Sequence, residues 1–297
     1  MKCDYLSDLH SPILFRGNET VAYRDPTAFW HNNTLYLFFT HVITKPDGSV
    51  YLQVAETKTQ DLSHWSKIRF LTPMDRALNY SSPGNIVLDG NEFVLCIQSY
   101  CRENNEKYGN QRCRLFTMRS SDLENWSQPS LLYVKDNADE AKMGRMIDPF
   151  LVKHDNKWYC FFKQNGISLS ESEDLLKWHY LGHIPGGENV CILKTDDEFL
   201  MFHSPENGIA MKVSHDLLHW ESFGQLITLG QEEWPWAKGR ITAGFVIDLR
   251  HVSKIENYIM FFHGSGPKTE EYYFDTFASL GIAWSKDLTH WKWPAEA

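Results

Sequence analysis

The sequence predicts an all-β chain folded as a five-bladed β-propeller with four antiparallel strands per blade. Three observations carry that expectation: a stretch Asp-Leu-x-x-Trp recurs five times, a pair of apolar runs joined by a polar turn precedes each copy, and no long helical pattern occurs.

The recurring stretch is Asp61–Trp65, Asp122–Trp126, Asp174–Trp178, Asp216–Trp220 and Asp287–Trp291, with 61, 52, 42 and 71 residues between successive aspartates. An Asp opening a turn caps the following backbone, and the Leu and Trp then return to an apolar layer. Copies at equivalent positions point to packing between blades rather than to ligand sites. The five upstream segments are "RDPTAFWHNNTLYLFFT", "SSPGNIVLDGNEFVLCIQSY", "IDPFLVKHDNKWYCFFKQ", "ENVCILKTDDEFLMFHS" and "TAGFVIDLRHVSKIENYIMFFHG". Asn, Asp and Gly between two apolar runs are a hairpin signature. A hairpin, a third strand, the turn and a fourth strand make one blade, and five blades account for residues 1–297 as one propeller domain.

Composition narrows the function. The chain has 297 residues, 42% hydrophobic, with 11 Trp, 13 Tyr and 18 Phe, an aromatic density suited to sheets and to sugar-binding surfaces. A formal charge of −9 without a basic run excludes a polyanion such as nucleic acid as partner. No window reaches the roughly 18 apolar residues of a membrane span, and the N-terminus lacks the apolar stretch of a signal peptide. The six cysteines form no CxxC pair; Cys96, Cys160 and Cys191 sit in apolar runs and read as buried thiols, and Cys3, Cys101 and Cys113 complete the set. A cytoplasmic setting follows, although a secreted chain trimmed of its leader would read the same way.

Chemistry is expected where the blades differ. In a propeller the first strand of each blade lines the channel, and its start lies at the same face as the end of the antiparallel second strand. One ring therefore comprises Asp25, Ser82, Asp148, Glu188 and the Arg240–Thr242 stretch; the other comprises His41, the Ser99–Tyr100 step, Lys163 with Gln164, His203 and His263. Either Asp, beside Pro26 or Pro149, could merely cap a turn, but three acids at inner-strand starts argue for a site. Paired carboxyls across a pocket are the apparatus of glycoside hydrolysis, and a third acid raises the pKa of the proton donor. Glu188, on the flexible approach "IPGG", is assigned as general acid, Asp25 as base and Asp148 as pKa modulator.

The early "RDP", the "IDP" 123 residues later and the Glu of "GGEN" on the next blade resemble glycoside hydrolase family 43, the arabinanases, β-xylosidases and arabinofuranosidases. That resemblance implies a five-bladed propeller using Asp, Asp and Glu, and inverting hydrolysis with acid and base about 6.5–9.5 Å apart. The chain departs from the family at "SSPGN", where a Trp-Ala-Pro-Asp type of step is common, and at "GRITAG", which lacks a channel histidine associated with a metal. No cofactor is required by the sequence, a metal in the channel is left open, and nothing in the sequence supports a structural calcium ion.

Three other readings stand beside this one. The related invertases and fructanases act by retention through a covalent intermediate; the absent Asn-Asp-Pro-Asn opening and the end of the chain at "HWKWPAEA" argue against them. A glycoside phosphorylase would need basic groups for phosphate, which Arg24, Lys163, His203, Arg240 and His263 could supply. A propeller that binds sugars without cleaving them is the rival of another class. In each case the partner is an oligosaccharide. Trp234 and Trp236 are expected to overhang the mouth as a sugar platform, Arg240 to pair with an acid or a substrate carboxylate, His41, His203 and His263 to contact ligand, and the Ser99–Arg114 insertion to shape a subsite.

Overall fold

Each pair of apolar runs closes as an antiparallel hairpin, and the turn residues explain where the chain reverses. Asn32 and Asn33 (φ 47° and 58°) and Asp155 and Asn156 (φ 47° and 62°) supply the two successive left-handed residues of a tight hairpin turn. Asn and Asp adopt that conformation more readily than other side-chain-bearing residues. The structure, a computed structural model, describes residues 4–104, 106–136, 142–269 and 273–295, so Cys3 lies outside the described residues.

A short strand β1 (Ile13–Phe15) precedes the first blade, which is β2 (Val21–His31), β3 (Thr34–Thr44), β4 (Val50–Thr59) and β5 (Arg69–Phe70). In the second blade β6 (Tyr80–Ser81) and β7 (Ile86–Asp89) share the innermost position, interrupted around Pro83, and β8 (Glu92–Ser99), β9 (Leu115–Ser120) and β10 (Ser130–Leu131) follow outward. The third blade is β11 (Ile147–His154), β12 (Lys157–Lys163), β13 (Ile167–Ser172) and β14 (Trp178–Ile184); the fourth is β15 (Glu188–Lys194), β16 (Phe199–Ser204), β17 (Ile209–Ser214) and β18 (Glu221–Ile227). The fifth begins with β19 (Arg240–Asp248), β20 (Tyr258–Ser265) and β21 (Ser279–Ser285). Neighbouring inner strands β11, β15, β19 and β2 contact one another around the axis.

The fifth blade departs from the expected order. The strand after the last turn, β22 (Trp291–Lys292), pairs only with Trp284 and Ser285 at one end of β21, while β1 pairs with Leu280 and Gly281 farther along the same edge. Strands β1 and β22 thus share one outer edge. The N-terminal segment closes the ring, which covers an edge that would otherwise expose unpaired N–H and C=O groups.

The five turns hold their own backbone. In each, one Asp oxygen accepts from the main-chain N–H groups two and three residues on. The N–H of Asn125 and of His290 hold Asp122 and Asp287 well below the usual carboxylate range. The Leu of each copy is left-handed, φ 62° to 67°, and buried. Its carbonyl accepts from the Trp indole in four copies; Trp126, whose buried indole nitrogen has no partner, is the exception.

Blades stack face to face, so their second strands are covered on both sides and read as continuous apolar runs. Phe38, Phe39, Phe161, Phe162, Phe202, Phe261 and Phe262 are fully buried there. Burying one such side chain contributes roughly 1.5–3 kcal/mol. Cys96, Cys160 and Cys191 are buried free thiols, and burial pushes Cys96 and Cys191 up to about 12. Among the described residues no helix is long and apolar enough to cross a membrane.

Candidate active site

The site begins with a backbone irregularity repeated in every blade. Near the start of each inner strand one residue is left-handed: Asp25 (φ 48°), Ser82 (φ 40°), Asp148 (φ 52°), Asn189 (φ 52°) and Ala243 (φ 53°). Each coincides with a break in register against the second strand or, in blade two, with the gap between β6 and β7. A bulge of this kind bends the strand and re-aims a side chain. The five residues converge on a void of about 20 Å³ on the channel axis.

Bulging leaves an N–H without a ladder partner, and the preceding blade supplies one. The Ser82 N–H donates to Thr40 Oγ1 (2.8 Å), Asp148 to Gln98 Oε1, Ala243 to Ser204 Oγ (2.8 Å) and Asp25 to His263 Nδ1 (3.1 Å). Thr40, Gln98, Lys163, Ser204 and His263 lie opposite the residue just before each bulge. Lys163 breaks the ring because its ammonium has no acceptor.

This register corrects two expectations. Glu188 stands one residue before the position shared by Asp25 and Asp148; the equivalent residue is Asn189. His41 and His203 each miss their blade's ring position by one residue, and a one-residue offset in a strand sends a side chain to the opposite face. His41 lies edge-on between Tyr23 and Phe70, and burial lowers its pKa to about 4. His203 accepts from the Gly187 N–H at 3.1 Å; burial, aided by the charges of Lys212 and Lys163, holds it at about 4. Both are neutral spacers behind the site.

The three acids nonetheless open onto one cavity of about 940 Å³ at the channel mouth, within the usual size of a ligand pocket. Asp25 Oδ2 accepts from Thr40 Oγ1 and Ser82 Oγ, both at 3.0 Å. His263 Nδ1 accepts from the Asp25 N–H and lies 3.7 Å from Asp25 Oδ1. Asp148 is almost wholly buried. Burial first, then the negative charges of Glu188 and Asp25, raise its pKa to about 7, against the opposing charge of Arg145 and a hydrogen bond with Ser82. Glu188 is the most exposed acid and accepts from Arg240 Nη2 at 2.9 Å. Burial therefore grades from Glu188 at the rim to Asp148 at the base.

Of the other expected ligand groups, Arg24, Ser82 and Arg240 line the cavity; His41, Lys163, His203, Trp234, Trp236 and His263 do not. Trp234 and Trp236 correct the expected sugar platform: they are buried and stack on each other (5.2 Å) and on Phe262 (6.0 and 5.9 Å), with Trp293 edge-on to Trp234. Two indoles bury so much apolar area that filling the gap inside blade five outweighs display in water. The aromatic wall is formed instead by Tyr100, Tyr108 and Phe274. Arg24 lies 4.3 Å over the Phe274 ring and donates to its carbonyl, while Arg102 grips Asp275 through two bonds of 2.6 and 2.8 Å. The Ser99–Arg114 insertion reaches the site as expected, through Tyr100, Tyr108 and Gly109. Among the described residues no group of three or more His, Cys, Asp and Glu is placed to hold a metal ion.

Comparison with known proteins adds the family. The architecture is similar to that of a thermostable family-43 glycoside hydrolase, with 13% identity and a TM-score of 0.67 over 97% of each chain. It is similar to the catalytic domain of the Coprinopsis cinerea GH62 α-L-arabinofuranosidase, with 13% identity and a TM-score of 0.66 over 92% of this chain and 97% of that one. A family 117 glycoside hydrolase of the marine bacterium Zobellia galactanivorans is 13% identical, with a TM-score of 0.64 over 94% and 90%. At such identities the likeness concerns the fold. No curated protein matches the sequence. The family model "Glycosyl hydrolases family 32 N-terminal domain" matches residues 25–195, more than half of the chain, from Asp25 to beyond Glu188. The expected resemblance to family 43 thus holds for the fold, and by its sequence the chain belongs to the glycosyl hydrolase family 32 N-terminal domain family and is a glycoside hydrolase.

Proposed function

We propose that the chain cleaves short oligosaccharides, with Asp25 attacking the anomeric carbon, Glu188 protonating the leaving oxygen and Asp148 setting the charge around both. The observation that carries this reading is the convergence of three carboxyls, graded in burial, on one cavity. Asp25 is held at its backbone by His263 and at Oδ2 by two hydroxyls. A group fixed so closely suits one that itself forms the new bond, since direct attack depends steeply on alignment. This favours retention through a covalent intermediate over inversion.

In the first step Asp25 displaces the aglycone and forms a glycosyl ester, while the proton of Glu188 passes to the departing oxygen. Glu188 then takes a proton from water as that water opens the ester. Arg240 orients Glu188 at the rim, where a leaving group departs. Asp148, holding its proton near neutral pH, spares the cavity a third negative charge. Tyr108, half-exposed above Phe274 (5.0 Å), offers an apolar face to a sugar ring.

The stereochemistry of the first product tests the assignment of Asp25. Proton NMR during hydrolysis of fructosyl, arabinofuranosyl and xylosyl substrates, with and without phosphate, is expected to show net retention independent of phosphate. Net inversion would return Asp25 to the role of a base acting through water, and phosphate-dependent cleavage would favour a phosphorylase.

A further inference from the structure

The arginines around the cavity differ in what they hold. Arg240 is paired with Glu188, Arg102 with Asp275, and Arg24 is bound to the main chain and ring of Phe274. Arg145 also lines the cavity, three residues before Asp148. Among the described residues it makes no direct ion pair, although its charge is felt by Asp148. Among the described residues its single side-chain hydrogen bond is a long one, Nη2 to Tyr100 Oη at 3.4 Å, and its buried Nε has no partner; its guanidinium carbon lies 5.5 Å from the Tyr100 ring. Its backbone is nevertheless fixed, the N–H donating to Gln111 Oε1 (3.2 Å) and the carbonyl accepting from Gln164 Nε2 (3.0 Å).

A half-buried guanidinium whose buried Nε has no partner among the described residues is costly unless something completes it. A guanidinium fork is matched by an oxyanion, which it binds through two parallel hydrogen bonds. Phosphate as a free co-substrate would call on several basic groups, but the neighbouring arginines are already engaged. An anionic group attached to the sugar needs only this one, because the ring brings its own contacts with Tyr108 and Phe274. We propose that Arg145 reads an oxyanion carried by the substrate, a carboxylate or a phosphate, so that the cavity takes an acidic glycoside. This inference rests on the hydrolase reading of the same cavity and specifies its substrate class.

Calorimetry on the intact chain at low salt tests it without requiring turnover. Glucuronate, galacturonate, glucose 6-phosphate and fructose 6-phosphate are compared with their neutral parent sugars and with inorganic phosphate. At least one acidic sugar is expected to bind about tenfold or more tighter than its parent, and whether it is a uronate or a sugar phosphate identifies the source of the oxyanion. That advantage should fall about tenfold in Arg145→Gln and be partly kept in Arg145→Lys, with thermal melts confirming that both variants fold. No advantage for any acidic sugar, an advantage that survives Arg145→Gln, or inorganic phosphate binding as tightly as the sugar phosphates would each overturn the inference. Acidic-sugar preference without any glycoside turnover would sink the hydrolase reading alone, and turnover of neutral glycosides without such preference would sink this one alone.

Discussion

Two rings of left-handed residues run around this molecule, and they are used in opposite ways. At the five Asp-Leu-x-x-Trp turns a leucine takes that conformation, its side chain buried. At the five inner-strand starts the residues are Asp25, Ser82, Asp148, Asn189 and Ala243, all different in chemistry except the two acids. The strain is similar in both. In the turns it is offset locally, by the Asp cap and the burial of Leu, so a single solution serves every blade. At four of the five inner starts it is offset by an acceptor on the preceding blade, which leaves the side chain free to vary. The repeat therefore holds the ring together, and the bulge presents the chemistry.

Substitutions separate the two rings. Leu217→Ala, in a turn, should cost about 2–5 kcal/mol of stability through the cavity it leaves, with kcat/KM unchanged at temperatures where the variant is folded; a loss of turnover at constant fold would contradict the division. Asp148→Asn should instead change how stability depends on pH. In the fold Asp148 keeps its proton between about pH 4 and 7, where the unfolded chain has lost it, so its contribution is full below pH 4 and is lost as pH rises through 7. Thermal melts should show the Asp148→Asn variant gaining on wild type across that interval, by on the order of a few kcal/mol. His41 and His203, lowered to about 4, act in the opposite sense, adding stability as pH rises from 4 to 6.5, and that slope should persist in the variant.

His263→Ala removes the acceptor for the Asp25 N–H and should cost about 1–3 kcal/mol together with a fall in kcat larger than any rise in KM. His263→Gln should recover much of both, because Gln98 already performs that task for Asp148; equal damage from the two variants would assign His263 a different role. The smallest effect belongs to Ala243, where a methyl-bearing residue is held at φ 53° with no site role. Ala243→Gly should raise stability by up to about 1 kcal/mol in chemical denaturation, and a clear loss would show that the bulge is unstrained.

The sequence made the turns and hairpins legible because their chemistry is local: Asp caps, paired Asn residues and apolar runs lie within a few residues of one another. All three acids were legible for the same reason, each beside a Pro or Gly at the start of an apolar run. Register was not. The extra residue of each bulge hid the offset of Glu188 from Asn189 and placed His41 and His203 on the wrong face. Nor were contacts across the whole chain: β1 closing against Leu280 and Gly281, or Arg24 lying over the ring of Phe274, 250 residues away. Trp234 and Trp236 misled because a tryptophan-rich loop reads alike whether its indoles face sugar or fill a gap.

The central claim is that the diverged ring carries the chemistry, and turnover measured beside binding tests it most directly. Wild type is run with Glu188→Gln and Asp25→Asn on whichever glycoside it cleaves, with affinity for the same compound measured by calorimetry. Turnover is expected to fall by about 10³-fold in each variant while affinity stays within a few-fold and melting temperatures within a few degrees. Variants that keep wild-type turnover, with fold intact, would contradict the account and move the chemistry away from these acids.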